Sequence, residues 1–322
     1  MALIFCDSFD HYTVGTQAQR KGWNDNVFGA VPGRNGTNGI AMNNDWTYVT
    51  LPAGDSFVMG CAVYFIGGGL GAPVFMFQDG NSAQCELKLD TSDKSLFVSR
   101  NGAEVGTSGP NAYQISGFQY IEWKVVIGNT GSTEVRVDGV VVLTLPNVDI
   151  QETGNAQATR AYLRGPGTTR FDDFYVATGG TYFGDVRVKA IFPDAAGNYS
   201  QFTPSAGSNY QCVDETPPND DTDYVSSATA GHKDTYGFGA VGISGAVKGI
   251  QVLGLVRKDD AGSRTIRRIA RIGGTDYNGS NIVVNDAYTY GIRDVLENNP
   301  ATGLPWAVSE IDGAEFGIEL VS

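Results

Sequence analysis

Two histidines and four cysteines are all that the 322-residue chain carries. A Ser-His-Asp triad would therefore have to use His11 or His232. No Gly-x-Ser-x-Gly elbow and no Gly-Lys-Ser/Thr phosphate loop occurs. Cys6, Cys61, Cys85 and Cys212 are scattered singly, without the paired spacing of a zinc site. Cys6 and Cys61 lie in apolar runs, where buried free thiols are expected. No stretch approaches the roughly 18 continuous apolar residues of a membrane span. The opening MALIFCDSFD has neither a basic region nor a long apolar core, so no secretory leader is expected, and free thiols follow. Basic residues are also short: 22 Lys and Arg stand against 35 Asp and Glu, a net charge of −13. The acidity is spread over both halves. A phosphate backbone or an anionic membrane needs a basic face, so neither nucleic acid nor membrane is an expected partner.

What the chain has in quantity is glycine (43), phenylalanine (16) and tyrosine (15). Aromatic and β-branched residues suit pleated surfaces, and Gly and Asn-Gly pairs mark turns. The sequence reads as all-β. Its length fits two domains, with a boundary at Thr178-Gly179-Gly180, giving 1–180 and 181–322. In the first, strands are expected at 47–51, 56–65, 73–78, 83–89, 95–100, 119–128, 132–138, 140–145, 158–164 and 168–177. The segment 22–46 reads as loop. Glu134-Val135-Arg136-Val137-Asp138 alternates as a half-buried strand does, and Asp138-Gly139 is a two-residue hairpin signal. In the second domain a strand is expected at 185–192, then a long irregular arm over 193–233. Further strands are expected at 235–243, 246–257, 264–272, 282–284, 287–295 and 316–321. The segment RTIRRIARI (264–272) also fits a helical arginine stripe; its neighbours favour a strand.

Five groups are candidate sites. Asp214, Asp220, Asp221 and Asp223 are oxygen ligands close enough in sequence for Ca²⁺, without the EF-hand pattern; solvated turn residues are the plainer alternative. The Pro217-Pro218 arm is a candidate contact with another subunit. Arg264, Arg267, Arg268 and Arg271 form a basic patch for such a contact, or a solvated face balanced by Asp259 and Asp260. Trp23, Trp46 and Tyr48 lie in or near loops and are candidates for stacking on sugar rings; Tyr113 is similar. They also fit as plugs of a sandwich end. Glu122 and Glu134 are a conceivable glycosidase pair, but both are expected to face solvent. No reacting group stands out, and the expectation is that the chain is not an enzyme.

SFVMGCAVYF, FQYIEWKVVIGNTGSTEVRVDGVVVLTL and TRFDDFYVATGG together resemble the core of concanavalin-like and laminin-G-like jelly rolls. Trp123, Asp138-Gly139 and Asp172-Asp173 occupy the matching places. The resemblance implies a jelly-roll sandwich, and acidic residues such as Asp172 and Asp173 hold Ca²⁺ in some of these domains. FGDVRVKAIFPDAAGNYSQFTPSAGSNYQCVDETPPNDDTDYVSS and NNPATGLPWAVSEIDGAEFGIELV resemble segments of tailed-bacteriophage virion proteins. The second domain, with its run of strands and its long irregular arm, is expected to be β-sandwich-like and to serve docking or oligomerisation. The virion resemblance implies a virion structural protein made in the host cytoplasm: a capsid decoration protein or head fibre, assembled as an oligomer such as a trimer and contacting other virion proteins. The alternative is a tail-associated receptor-binding or carbohydrate-binding adhesion protein whose partner is a glycan.

Overall fold

The computed structural model describes residues 2–13, 15–24, 29–66, 71–165 and 167–322. The chain is all-β and divides into two compact units, residues 1–189 and 190–322. Among the described residues no helix is long and apolar enough to cross a membrane.

The first unit stacks two antiparallel sheets. In one, the strands run in the order Val140–Val148, Gly131–Val137, Gln119–Val126, Ser56–Phe65, Thr168–Thr178, Asn38–Asn43 and Gly29–Pro32, with Leu3–Asp7 also paired to Thr168–Thr178. The other has the order Trp46–Gly54, Ala158–Arg164, Pro73–Asp79, Ser82–Asp90, Ser95–Arg100 and Ala103–Thr107. The expected alternation holds: Val135 and Val137 are buried while Glu134 and Arg136 are not. At the hairpin, Asp138 (φ 50°) and Gly139 (φ 79°) both adopt the left-handed conformation that a tight two-residue turn demands. Between the sheets lies one core, with Trp123 fully buried against Phe77 at 5.3 Å between ring centres. The Trp123 indole N–H donates to Thr133 Oγ1 at 2.7 Å, so this large ring is buried without an unmade hydrogen bond.

The strands Gly29–Pro32 and Asn38–Asn43 were expected as loop; residues 25–28 of that stretch lie outside the described residues. They are held by a bulge in the last strand. The ladder to Ser56–Phe65 slips between Asp172 and Tyr175, and Asp173 takes φ 51°. The slip turns both carboxylates toward the loop. Asp172 Oδ2 accepts from the Arg34 N–H at 2.7 Å, and Asp173 Oδ2 accepts from Arg34 Nε at 2.9 Å. Asp173 Oδ1 accepts from the Val188 N–H, and Arg34 also binds Asp185 and the carbonyl of Val186. These bonds explain why 185–192 alternates yet forms no strand: its backbone partners are side chains. They also place the end of the first unit after Lys189 instead of at Gly180.

In the second unit one sheet has the order Pro193–Ser200, Lys233–Phe238, Glu315–Leu320, Thr265–Ile272 and Thr275–Asn278, with Ile282–Val283 paired to Thr265–Ile272. Ile250–Val256 pairs with Thr289–Leu296. Small cores form around Trp306, Ala270 and Phe316, and around Ile266, Ile292 and Leu320. The expected irregular arm contains a strand, a 3-10 turn at Asn209–Cys212, and a short ladder between Thr203–Pro204 and Val225–Ser226.

Candidate functional site

In a strand, successive side chains point to opposite faces, so the core-facing set fixes what the other face shows. In the second sheet Val49, Leu51, Phe75, Phe77, Ala161 and Leu163 enter the core. Trp46, Tyr48, Met76, Gln78, Arg160, Tyr162 and Arg164 therefore project from the opposite face. Register then sets them side by side. Tyr162 stands opposite Tyr48 on one neighbour and Met76 on the other. Arg164 stands opposite Trp46, and Arg160 opposite Gln78.

These side chains, with Asn24 and Asn81, line a depression of about 500 Å³, a size suited to a small ligand. Trp46 is 42% exposed. Its ring lies 12° from parallel with that of Tyr48, at 6.3 Å between centres. Tyr162 packs on both, at 5.4 and 4.7 Å. The Arg160 guanidinium sits 4.6 Å from the centre of the Tyr48 ring and donates to Asn81 Oδ1 at 2.6 Å. Burial pushes the Tyr162 phenol up from its usual pKa against the opposing pull of Arg160, so it is a neutral hydroxyl at physiological pH. The buried amide oxygen of Gln78 accepts no hydrogen bond from the described residues. The face thus offers flat apolar rings and cationic donors.

A neighbouring loop is fixed from within the same sheet. Gln84, fully buried, donates to Thr153 Oγ1 and to the carbonyls of Asn155 and Gln157 at 2.7–2.8 Å. Its amide oxygen accepts from the N–H groups of Glu152 and Thr153. Asp79 takes further bonds from Thr153, Asn155 and Gln157.

Of the residues singled out for stacking, Trp46 and Tyr48 reach this face and Trp23 does not. Trp23 is 2% exposed, packs among Phe5, Phe9 and Phe174, and donates to Asp7 Oδ2 at 2.8 Å. It is a core residue because its indole finds a buried carboxylate. Tyr113 is buried too, against Phe65.

The other candidates fall elsewhere. Asp221 binds Arg257 and the hydroxyl of Tyr288, while Asp214 and Asp223 lie by Glu215. Among the described residues no three His, Cys, Asp or Glu side chains are placed to hold a metal ion. Asp214, Asp220, Asp221 and Asp223 therefore do not converge as Ca²⁺ ligands, and Asp172 and Asp173 are occupied by the Arg34 loop. Pro217 and Pro218 are half-buried. Arg264, Arg267, Arg268 and Arg271 lie on or beside one strand, and each has a carboxylate: Asp260, Glu319, Asp294 and Asp276. Glu319 and Asp276 come from strands paired with that strand, Asp260 from the preceding loop and Asp294 from the strand Thr289–Leu296.

Glu122, expected at the surface, is 1% exposed. Its Oε1 accepts from the Tyr175 hydroxyl at 2.6 Å and from the Gly184 N–H. His11 is buried. His232 Nδ1 lies 3.0 Å from Ser227 Oγ, but that hydroxyl also accepts from the Thr229 N–H within the same turn. No carboxylate completes this pair among the described residues. All four cysteines are unbridged.

Arg160, Tyr162, Arg164 and Gln78 were missed. The alternation in TRAYLR placed them on one face, but nothing local said which strands would flank it.

No family model and no curated protein matches the sequence. Solved structures do match part of the chain at a distance. The cellulose-induced protein Cip1 is 15% identical at a TM-score of 0.42, over 56% of this chain and 100% of that one. An alginate lyase from Chlorella virus is 10% identical at 0.40, over 55% and 100%. An endo-β-1,4-glucuronan lyase from the fungus Trichoderma reesei is 13% identical at 0.35, over 47% and 87%. Likenesses this distant assign no chemistry to the chain. They do overturn one expectation. Polysaccharide lyases are among the folds that match, so the expectation that the chain is not an enzyme is withdrawn.

Proposed function

We propose that the chain binds a glycan on the outer face of its second sheet. The observation that carries this reading is the near-parallel pair of Trp46 and Tyr48 in a depression that also holds Arg160, Gln78 and Asn81. The described lining mixes three aromatic rings and Met76 with the polar groups of Asn24, Gln78, Asn81, Arg160 and Arg164. Flat rings cover the C–H face of a sugar, while the guanidinium and amide groups meet its hydroxyls. This agrees with the adhesion alternative drawn from the sequence. The capsid-decoration role gains no support from the geometry of either unit or from the comparisons. The test is a glycan array probed with the whole chain and with Trp46→Ala. Binding to at least one saccharide class, lost in the variant, supports the reading; binding that survives the substitution contradicts it.

A further inference from the structure

Resting on that glycan-binding reading, we infer that the preferred ligand is an oligosaccharide carrying uronate carboxylates. In a protein of net charge −13, the described lining of the depression holds two arginines and no Asp or Glu. That local sign opposes the sign of the molecule, so this lining is locally basic in an acidic protein.

The two arginines differ from those of the strand Thr265–Ile272 and its flank in what they touch. Arg264, Arg267, Arg268 and Arg271 each pair with a carboxylate. Arg160 pairs with none among the described residues. It rests on the Tyr48 ring and spends donors on the neutral amide of Asn81 and the neutral hydroxyl of Tyr162. A guanidinium carries five N–H donors, so most of its fork stays open. The Arg164 side chain has neither an ion pair nor a hydrogen bond to any described residue, and it stands opposite Trp46 in the ladder.

Residues 160 and 164 are four apart on one strand. At about 3.3 Å per residue their Cα atoms lie roughly 13 Å apart, with Tyr162 between them. Such a spacing suits two charges on a chain of sugars better than one charge on a monosaccharide. A carboxylate is planar and meets a guanidinium through two parallel hydrogen bonds. Stacking on Trp46 and Tyr48 supplies what charge alone does not, namely selection for a ring.

The experiment measures affinity of the whole chain by titration calorimetry. The probes are a galacturonate hexasaccharide, cellohexaose, a sulfated galactan oligosaccharide of the same length, and poly-L-glutamate. The expected result is binding of the uronate at least about tenfold tighter than each of the other three. Arg160→Gln and Arg164→Gln should each weaken uronate binding about tenfold, while Arg160→Lys, which keeps the charge but not the fork, falls between. Unchanged melting temperatures separate these effects from misfolding. Should cellohexaose bind as well as the uronate, and both arginine variants keep full affinity, the uronate inference is overturned while the glycan reading stands. Tighter binding of the sulfated probe, or equal binding of poly-L-glutamate, also overturns it. Binding of none of the saccharides, on this panel and on the array, overturns both.

Discussion

Trp46 and Tyr48, two residues apart on the edge strand Trp46–Gly54, present their rings 12° from parallel on the same face of the sheet. A Trp left 42% exposed contributes little to the fold. Trp46→Ala is expected to change stability by no more than about 1 kcal/mol. Its effect on glycan affinity should be about tenfold or more. Urea unfolding and a binding titration on the same preparation check both halves.

Gln84 is the opposite case. It is fully buried and bonds five groups of the loop over 152–157. Gln84→Ala should cost roughly 2–3 kcal/mol, because backbone donors and acceptors lose partners that water replaces poorly. The loop should also become a protease cleavage site. Denaturant midpoints and the map of the first tryptic or thermolytic cuts report these effects.

Asp7 holds a second buried knot. Its carboxylate lies 3.2 Å from Lys21 Nζ and accepts from Trp23, Tyr12 and the Phe9 N–H. Burial works to raise its pKa, but Lys21, His11 and these donors outweigh that and hold it below the usual carboxylate range. Asp7→Asn removes the carboxylate 3.2 Å from the buried Lys21 ammonium, at an expected cost of about 3–5 kcal/mol. Adding Lys21→Met should recover much of the loss. A double-mutant cycle measures that recovery.

His11 gives a pH dependence. Burial first, then the charge of Lys21, brings its pKa down to about 4, with Asp7 pulling the other way. The unfolded chain binds a proton near pH 6.5. A folded-state value below the unfolded one means full stability above about pH 6.5 and loss as pH falls toward 4. The span corresponds to about 3 kcal/mol. Between pH 7.5 and 4.5 the wild type should lose more stability than His11→Gln by about 2–3 kcal/mol in urea titrations. Equal losses would remove His11 as the cause.

Much of the first unit's architecture was legible because its signals are local. The Val135/Val137 alternation and the Asp138-Gly139 pair each name a strand or a turn from adjacent residues. The strands at 29–32 and 38–43 were not legible. Their Gly- and Asn-rich composition signals loop, and what orders them is Arg34 meeting carboxylates about 140 residues away. The same limit applied to the site. Trp46 and Tyr48 could be suspected from sequence, but Trp23 could be separated from them only by knowing that Asp7 awaits its indole. Arg160 and Arg164 gained meaning only from the register that set them beside those rings. Arg267 lost its apparent availability the same way, through Glu319 on the neighbouring strand.

Of the four tryptophans, Trp23, Trp123 and Trp306 are buried, and Trp46 is exposed. Acrylamide quenching of tryptophan fluorescence therefore reports chiefly on Trp46. The decisive measurement is this quenching with and without a saturating oligosaccharide identified on the array. Protection of the quenchable component on binding is the expected result. Undiminished quenching with the saccharide fully bound would place the ligand elsewhere and contradict the assignment of this face.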